Sequence, residues 1–421
     1  MKSETSELAA LIGWDWADQS HEVRLQTDLG ELEHYRISQD PNALHEWVHK
    51  QRERFGGRKI AIAIEQRRGA VVYALMTYEF VVLYPINPKS LARFREALRP
   101  SKAKDDPTDA DLLLELVTKH RERLRAWNPE DEAGRELRMM VEYRRKLVDE
   151  RTRHTQQLTE WLKSYFPQAL KWAGDLDEVK ACEFLETWSS LDEMKAAGPD
   201  VLGKFFSHQG RWGKTIQRLL REISKSRTLT SDGAVVRSMG MMVRTTAREV
   251  RLLSESINEF QERIEQLFAL HPDQDLFTSF PGAGKVLAPR LCAIMGTDRS
   301  RYASPEEVQE FSGIAPVTER SGKSNWVHRR FACPQFFHQT FVEYAKQSIR
   351  QSEWARAYYK GCRNRGTSHN AALRALAFKW IRIIYRCWMD RVPYNEQTYQ
   401  TTLIRHGSPL ARNINGSALP A

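Results

Sequence analysis

The chain has 421 residues, more than one hydrophobic core ordinarily organises, so two or three domains are expected. Hydrophobic residues make up 41% and charged residues 28%, which excludes wholesale disorder, and no apolar run approaches the ~20 residues that a membrane span needs. A net charge of +10 favours polyanionic partners, because Lys and Arg displace counterions from a phosphate backbone. The excess is concentrated at one end: residues 356–421 contain eleven Lys/Arg against two Asp/Glu, reading as either a nucleic-acid face or a solvated basic tail. The first ten residues lack a basic-then-apolar signal, so the expected compartment is the cytosol, with no membrane partner. Five scattered cysteines suggest neither a zinc site nor a disulfide framework.

Residues 9–16, 21–28, 58–65 and 80–86 are short apolar or alternating runs of strand type, with helical patterns between and after them. Strands first and helices interleaved is the order of a mixed α/β sheet domain, here ending near residue 125. From 131 to 166 the apolar period becomes seven, with Met140, Leu147, His154 and Trp161 in one row and Val141, Val148, Thr155 and Leu162 beside it. A second such stretch spans 234–270, with Val243, Val250, Ile257 and Ile264 beside Thr246, Leu253, Phe260 and Leu267. The two helices pair with each other or with copies in another subunit. Residues 167–232 read as a helical insertion, 272–390 as a further compact and mainly helical domain, and 391–421 as an extended basic tail.

Asp15 ends the first strand and Glu65 ends the third run, each after apolar residues. A carboxylate there projects into the crevice beyond the strand ends, where α/β sheets gather ligands, and two neighbours form a hard-oxygen site for Mg²⁺. The run KDDPTDAD (104–111) opens a helix on which Asp106 and Asp109, three apart, share a face. Singly, each acid has an ordinary structural explanation; Asp106, for instance, complements a helix N-terminus next to Pro107. Together the four suit divalent ions for phosphoryl transfer. Asp105 and Asp111 rank below them because they face away from Asp106 and Asp109.

Downstream, Pro281-Gly282-Ala283-Gly284 separates two helical stretches and is either a tight turn or a phosphate-holding helix start, with Lys285 placed for DNA backbone contact. Residues 311–330 are polar and glycine-bearing, offering Ser312, Ser321 and Ser324 beside Arg320, Lys323, His328, Arg329 and Arg330. A serine hydroxyl needs a base, a metal or nearby cations to become a nucleophile, and guanidinium groups grip phosphate oxygens. Composition alone does not choose among the serines.

Taken in order, strand-Asp15, strand-Glu65, Asn87-Pro88-Lys89, Lys104-x-Asp106-x-x-Asp109-Ala110, Phe280-Pro281-Gly282-x-Gly284 and Ser321-Gly322 resemble the IS110-family transposases, also called bridge recombinases. The likeness covers roughly 9–125 and 272–390 and leaves out 167–232. It implies an α/β plus all-α protein: an RNase H-like (RuvC-like) DEDD domain at 1–125, coiled-coil helices over 126–271, and a transposase domain at 272–390. Asp15, Glu65, Asp106 and Asp109 match the DEDD positions, and Ser321 matches the nucleophile, with Ser312 set aside. The resemblance also implies double-stranded target and donor DNA, a structured non-coding bridge RNA, and a tetramer assembled as a dimer of dimers through the coiled coil. After Glu65 the family commonly has a small Thr/Ser-Gly turn, whereas here Gln66-Arg67-Arg68-Gly69 stands, two arginines placed to grip a phosphate or to mark a subgroup. Lys89 is a further expected backbone contact.

The expected chemistry is attack by Ser321 on a DNA phosphodiester with Mg²⁺ assistance, exchange of strands and religation. No ATP is needed because the covalent link conserves the energy of the cut bond, in keeping with the lack of a G-x-x-x-x-G-K-[ST] loop. The alternatives are a RuvC-like structure-specific endonuclease in which water attacks, and a non-catalytic nucleic-acid-binding scaffold.

Overall fold

A computed structural model describes residues 8–65, 68–98, 106–322, 324–408 and 410, without the side chains of 98, 106 and 107. The chain divides into two compact units, Met1–Pro129 and Glu130–Ala421.

In the first unit the elements run β1 (Leu8–Asp15), β2 (Ser20–Thr27), β3 (Leu32–Ser38), α1 (Pro41–Arg54), β4 (Lys59–Ile64), α2 (Ala70–Leu75), β5 (Val81–Pro85), α3 (Pro88–Leu98) and α4 (Asp106–Lys119). They form one five-stranded sheet ordered β3-β2-β1-β4-β5. β1 pairs antiparallel with β2 and parallel with β4, and β5 runs parallel to β4. The alternation of β4 explains why both faces are covered. Ile60, Ile62 and Ile64 enter a core with Trp14 of β1, Trp47 of α1 and Val72 of α2, while Ala61 and Ala63 face Leu112, Leu113 and Val117 of α4. β3, which has no continuous apolar run, is an edge strand with only Ile37 fully buried, so its sequence carries little strand signal.

The second unit contains α5 (Glu132–Tyr165), α6 (Ala169–Trp172), α7 (Val179–Thr187), α8 (Leu191–His208), α9 (Lys214–Lys225), α10 (Gly233–Ala269), α11 (Gln274–Thr278), α12 (Gly284–Met295), α13 (Pro305–Phe311), β6 (Val317–Ser321), β7 (Ser324–His328), α14 (Gln335–Ser348), α15 (Glu353–Asn364), α16 (His369–Asp390) and α17 (Glu396–Arg405). The two long helices of heptad character, α5 and α10, pack against each other within the chain. Val243, Val250, Ile257 and Ile264 are buried as the period predicts. Of the row beside them Thr246 is also buried, but Leu253, Phe260 and Leu267 are only half-buried, and Gly240, Ala247, Ser254 and Phe268 complete the seam instead. The reason lies in the neighbours: a side chain at Gly240 would meet Ser189 Oγ at 2.8 Å, and Ser254 Oγ donates to Asp177 O at 3.0 Å, so small residues are needed where the inserted helices pack.

Those inserted helices build a core of their own. Trp172, Phe184, Trp188 and Phe206 join Leu158 and Leu162 of α5 and Val243 and Val250 of α10. At the other ends of the pair, Leu137 and Val141 of α5 and Ile264 and Phe268 of α10 join Phe280, Trp354, Trp380 and Trp388 in a second core. Residues 391–408, read from sequence as part of an extended tail, instead fold back. Tyr394 stacks on Phe280, accepts a hydrogen bond from Trp354 Nε1 at 2.8 Å, and is followed by α17. Aromatic burial outweighs the local turn composition there; residues 411–421 lie outside the described ones.

Candidate functional site

Asp15 and Glu65 owe their proximity to strand register. Gly13 pairs with Ala63 and Trp14 with Ile64, so the next step brings Asp15 and Glu65 to the ends of adjacent parallel strands. Strand alternation then turns Gly13, Asp15, Ala63 and Glu65 toward α4. Asp109 comes from that helix, and the approach is unusually close. A Cβ at Gly13 would lie 2.1 Å from Ala110 O and 2.4 Å from Leu114 N, so only glycine lets the α4 backbone ride on β1. One carboxylate oxygen each of Asp15, Glu65 and Asp109 lies within 4.8 Å of the others. Asp15 is 8% and Asp109 1% exposed and Glu65 is half-buried, so the cluster is a largely buried pocket rather than a solvated acidic face.

Three carboxylates this close repel one another in a medium of low dielectric. A guanidinium offsets part of that repulsion: Arg95 of α3 donates from Nε to Asp109 Oδ1 at 2.8 Å, with a second bond from the same group to the same oxygen. The pocket's donors are hard oxygens fixed by a sheet and a helix, which suits a divalent cation such as Mg²⁺. Asp111 is occupied elsewhere, paired with Arg24 of β2 at 2.7 Å, while Asp105 lies outside the described residues. Asp106 is the first residue of α4, but its side chain is among those not described.

Of the nearby cations expected from sequence, Arg67 lies outside the described residues and Arg68 is exposed. Lys89 is exposed in the first turn of α3, where its backbone N–H donates to Asn87 Oδ1 at 2.9 Å; the Asn-Pro-Lys motif is thus a helix cap. Two contributors to the pocket, Gly13 and Arg95, escaped the sequence reading. A glycine inside an apolar strand signals close backbone approach, so Gly13 was detectable. Arg95 was not, since Arg93 precedes it on the same helix and nothing local separates them.

Ser321 lies in the second unit, at the end of β6 in a two-stranded hairpin with β7. Part of the polar, glycine-bearing stretch thus forms a pair of strands. Ser321 pairs with Ser324 and Glu319 with Trp326, so Ser321, Glu319, Trp326 and His328 share one hairpin face, and Ser321 itself is exposed. His328 Nε2 and Glu319 Oε1 are 2.9 Å apart, and this bond raises the His328 pKa above its usual value. Ser312 is fully buried, ending α13 with its hydroxyl donating to Gln309 O at 3.3 Å, and is inaccessible as a nucleophile. Arg320 is exposed on β6, Arg329 and Arg330 follow β7 half-buried, and Lys323 lies outside the described residues.

The Pro281–Gly284 turn has a packing explanation. Gly282 adopts φ +81°, and a Cβ there would lie 3.1 Å from Gln347 O at the end of α14. Lys285, expected on a DNA backbone, donates to Glu265 at 3.0 Å. None of the described helices is long and apolar enough to cross a membrane.

Comparison with known proteins finds matches toward both ends of the chain. Residues 12–167 match the DEDD transposase family of IS110 type, described as "Transposase", and residues 274–360 match "Transposase IS116/IS110/IS902 family". The chain is 27% identical over 403 residues to the "Mini-circle putative transposase for IS117" of Streptomyces coelicolor, covering 93% of this chain and 96% of that protein. It is 24% identical to the "Insertion element IS900 uncharacterized 42 kDa protein" of Mycobacterium paratuberculosis, covering 88% and 96% respectively. Over 192 residues, 44% of this chain and 52% of the relative, it is 32% identical to "Putative transposase y4uE" of Sinorhizobium fredii.

Proposed function

The chain belongs to the IS110 family of transposases, and from that premise we propose that it is a site-specific DNA recombinase that uses its carboxylate pocket and its serine hairpin in cutting and rejoining DNA. The observation that carries this reading is the convergence of Asp15, Glu65 and Asp109 within 4.8 Å on the ends of β1, β4 and the start of α4. The strand order 3-2-1-4-5, antiparallel then parallel, supports assigning the first unit to the RNase H-like class.

Asp15, Glu65 and Asp109, with Asp106 three residues before Asp109, are the residues that would hold Mg²⁺. Bound there, Mg²⁺ would supply positive charge to a phosphate and to an oxygen taking part in its displacement. The chain's own contribution is to fix the carboxylates. The sheet sets Asp15 and Glu65, Gly13 admits α4, and Arg95 orients Asp109. Ser321 Oγ then forms a bond to phosphorus as the bond from phosphorus to a deoxyribose oxygen breaks. The serine proton leaves to solvent or a base, and the departing oxygen takes one up. Religation reverses these steps with a different strand end. Exposure suits Ser321 to this role, since a duplex cannot reach a buried hydroxyl. Guidance by a structured RNA and assembly as a tetramer belong to the same proposal and rest on the family likeness.

Ser321→Ala separates this reading from its nearest rival. Loss of both strand cutting and covalent protein–DNA adduct is expected; continued cutting without adduct would make the protein a metal-dependent endonuclease using water. Asp15→Asn is expected to abolish cutting as well, and cutting that survives it without any Mg²⁺ requirement would remove the pocket from the mechanism.

A further inference from the structure

Beneath the serine hairpin lies a cleft of about 150 Å³. Gly313 and Pro316 form one wall, and His328, Arg329 and Arg330 follow from β7. Arg374, more than forty residues on and in the second turn of α16, completes it. Three guanidinium groups therefore converge from two separate parts of the fold. Among the described residues none of the three is paired with a carboxylate, and the Nε atoms of Arg329 and Arg330 are buried without a hydrogen-bond partner. Glu319, the acid on this side of the hairpin, is already engaged by His328. The Arg329 guanidinium lies over the Phe331 ring, 5.5 Å from its centre.

Clustering like charges in a half-buried place is unfavourable unless something of opposite charge enters. The neighbours respond to that field. Burial first and the Arg329 cation second hold both His338 and Arg374 below their usual pKa ranges. The cleft is smaller than the ~300 Å³ at which pockets for whole small molecules begin, which disfavours a nucleoside. A tetrahedral dianion or a phosphodiester, gripped by forked guanidinium donors, fits both the size and the charge.

We propose that Arg329, Arg330 and Arg374 form a phosphate-binding subsite that anchors the DNA strand presented to the hairpin. DNA is favoured over another polyanion by where the cleft sits. His328 pairs with Val317 at the base of the hairpin and Ser321 with Ser324 at its tip. Four residues of strand at roughly 3.3 Å each put the serine ~13 Å along, a span of a few nucleotides. A strand lying along the hairpin thus places one phosphate in the cleft and another at Ser321. In this respect the proposal rests on the reading of Ser321 as nucleophile, while the arginine site itself does not.

The test uses the full chain and reads binding rather than cutting. Pyrophosphate, compared with chloride at equal ionic strength, is expected to raise the melting temperature of the parent protein by a few degrees. Arg374→Gln and Arg329→Gln are expected to abolish that rise, weaken binding of a single-stranded DNA oligonucleotide at least ~5-fold and lower its salt slope by about one. Ser321→Ala is expected to keep both, so the arginine site and the nucleophile fail independently. Should Arg374→Gln not fold, Arg329→Gln carries the test. An undiminished anion response and DNA affinity in the arginine variants would overturn the proposal, as would a defect confined to an RNA oligonucleotide of the same sequence.

Discussion

The carboxylate pocket of the first unit and the serine hairpin of the second solve opposite problems. The pocket gathers like charges, so its members are pinned at strand ends and on a helix, Asp15 and Asp109 are buried with Glu65 half-buried, and Arg95 partly neutralises Asp109. The hairpin carries its hydroxyl on an exposed face, where a bulky polymer can reach it, and gives up burial to do so. Groups that must repel one another are held by packing; a group that must be approached is held by two strands and a turn. Rigidity is therefore concentrated where electrostatics demand it.

This contrast can be broken or sharpened by substitution. The largest effect is expected for Arg95→Gln, which leaves the buried Asp109 carboxylate without its cation. Loss of about 3–5 kcal/mol is expected without metal, and partial recovery on adding Mg²⁺, by denaturant titration in both conditions. Equal losses with and without Mg²⁺ would mean that the pocket does not attract the ion. Gly13→Ala comes next. With Ala110 O only 2.1 Å from the new methyl group, α4 must shift, costing roughly 1–3 kcal/mol. Mg²⁺-induced stabilisation should weaken in step, and a variant as stable as the parent would show that α4 is not seated as described.

A smaller effect concerns pH. His21, fully buried beside Trp14, has its pKa lowered chiefly by burial. Its unfolded form takes a proton near 6.5 while the folded form resists, so its stabilising contribution is full above that pH and fades as pH falls below it. His21→Asn retains an acceptor for the Ala17 N–H that now donates to Nδ1 at 3.3 Å. Melting temperatures from pH 7.5 to 5 should therefore fall less steeply in this variant; parallel curves would exclude His21 as a contributor. Smallest of all, Ser321→Ala should change folding stability by no more than ~0.5 kcal/mol, since the residue is exposed. A larger loss would mean that the hydroxyl is structural, and would blunt its use in the cutting assay.

Much of this was legible in the chain itself. Apolar runs and alternation located β1, β2, β4 and β5, the seven-residue period located α5 and α10, and acids at strand ends marked Asp15 and Glu65. These features are local, set by a period of two, 3.6 or seven and by residues that end an element. Tertiary structure decided what locality cannot. It brought Arg95 to the pocket, replaced most of one row of the α10 seam, folded residues 396–405 into a helix and joined Arg374 to Arg329. Each of these depends on which distant groups meet across a core, and pairing of that kind is fixed by packing and charge between elements rather than by the order of residues within one.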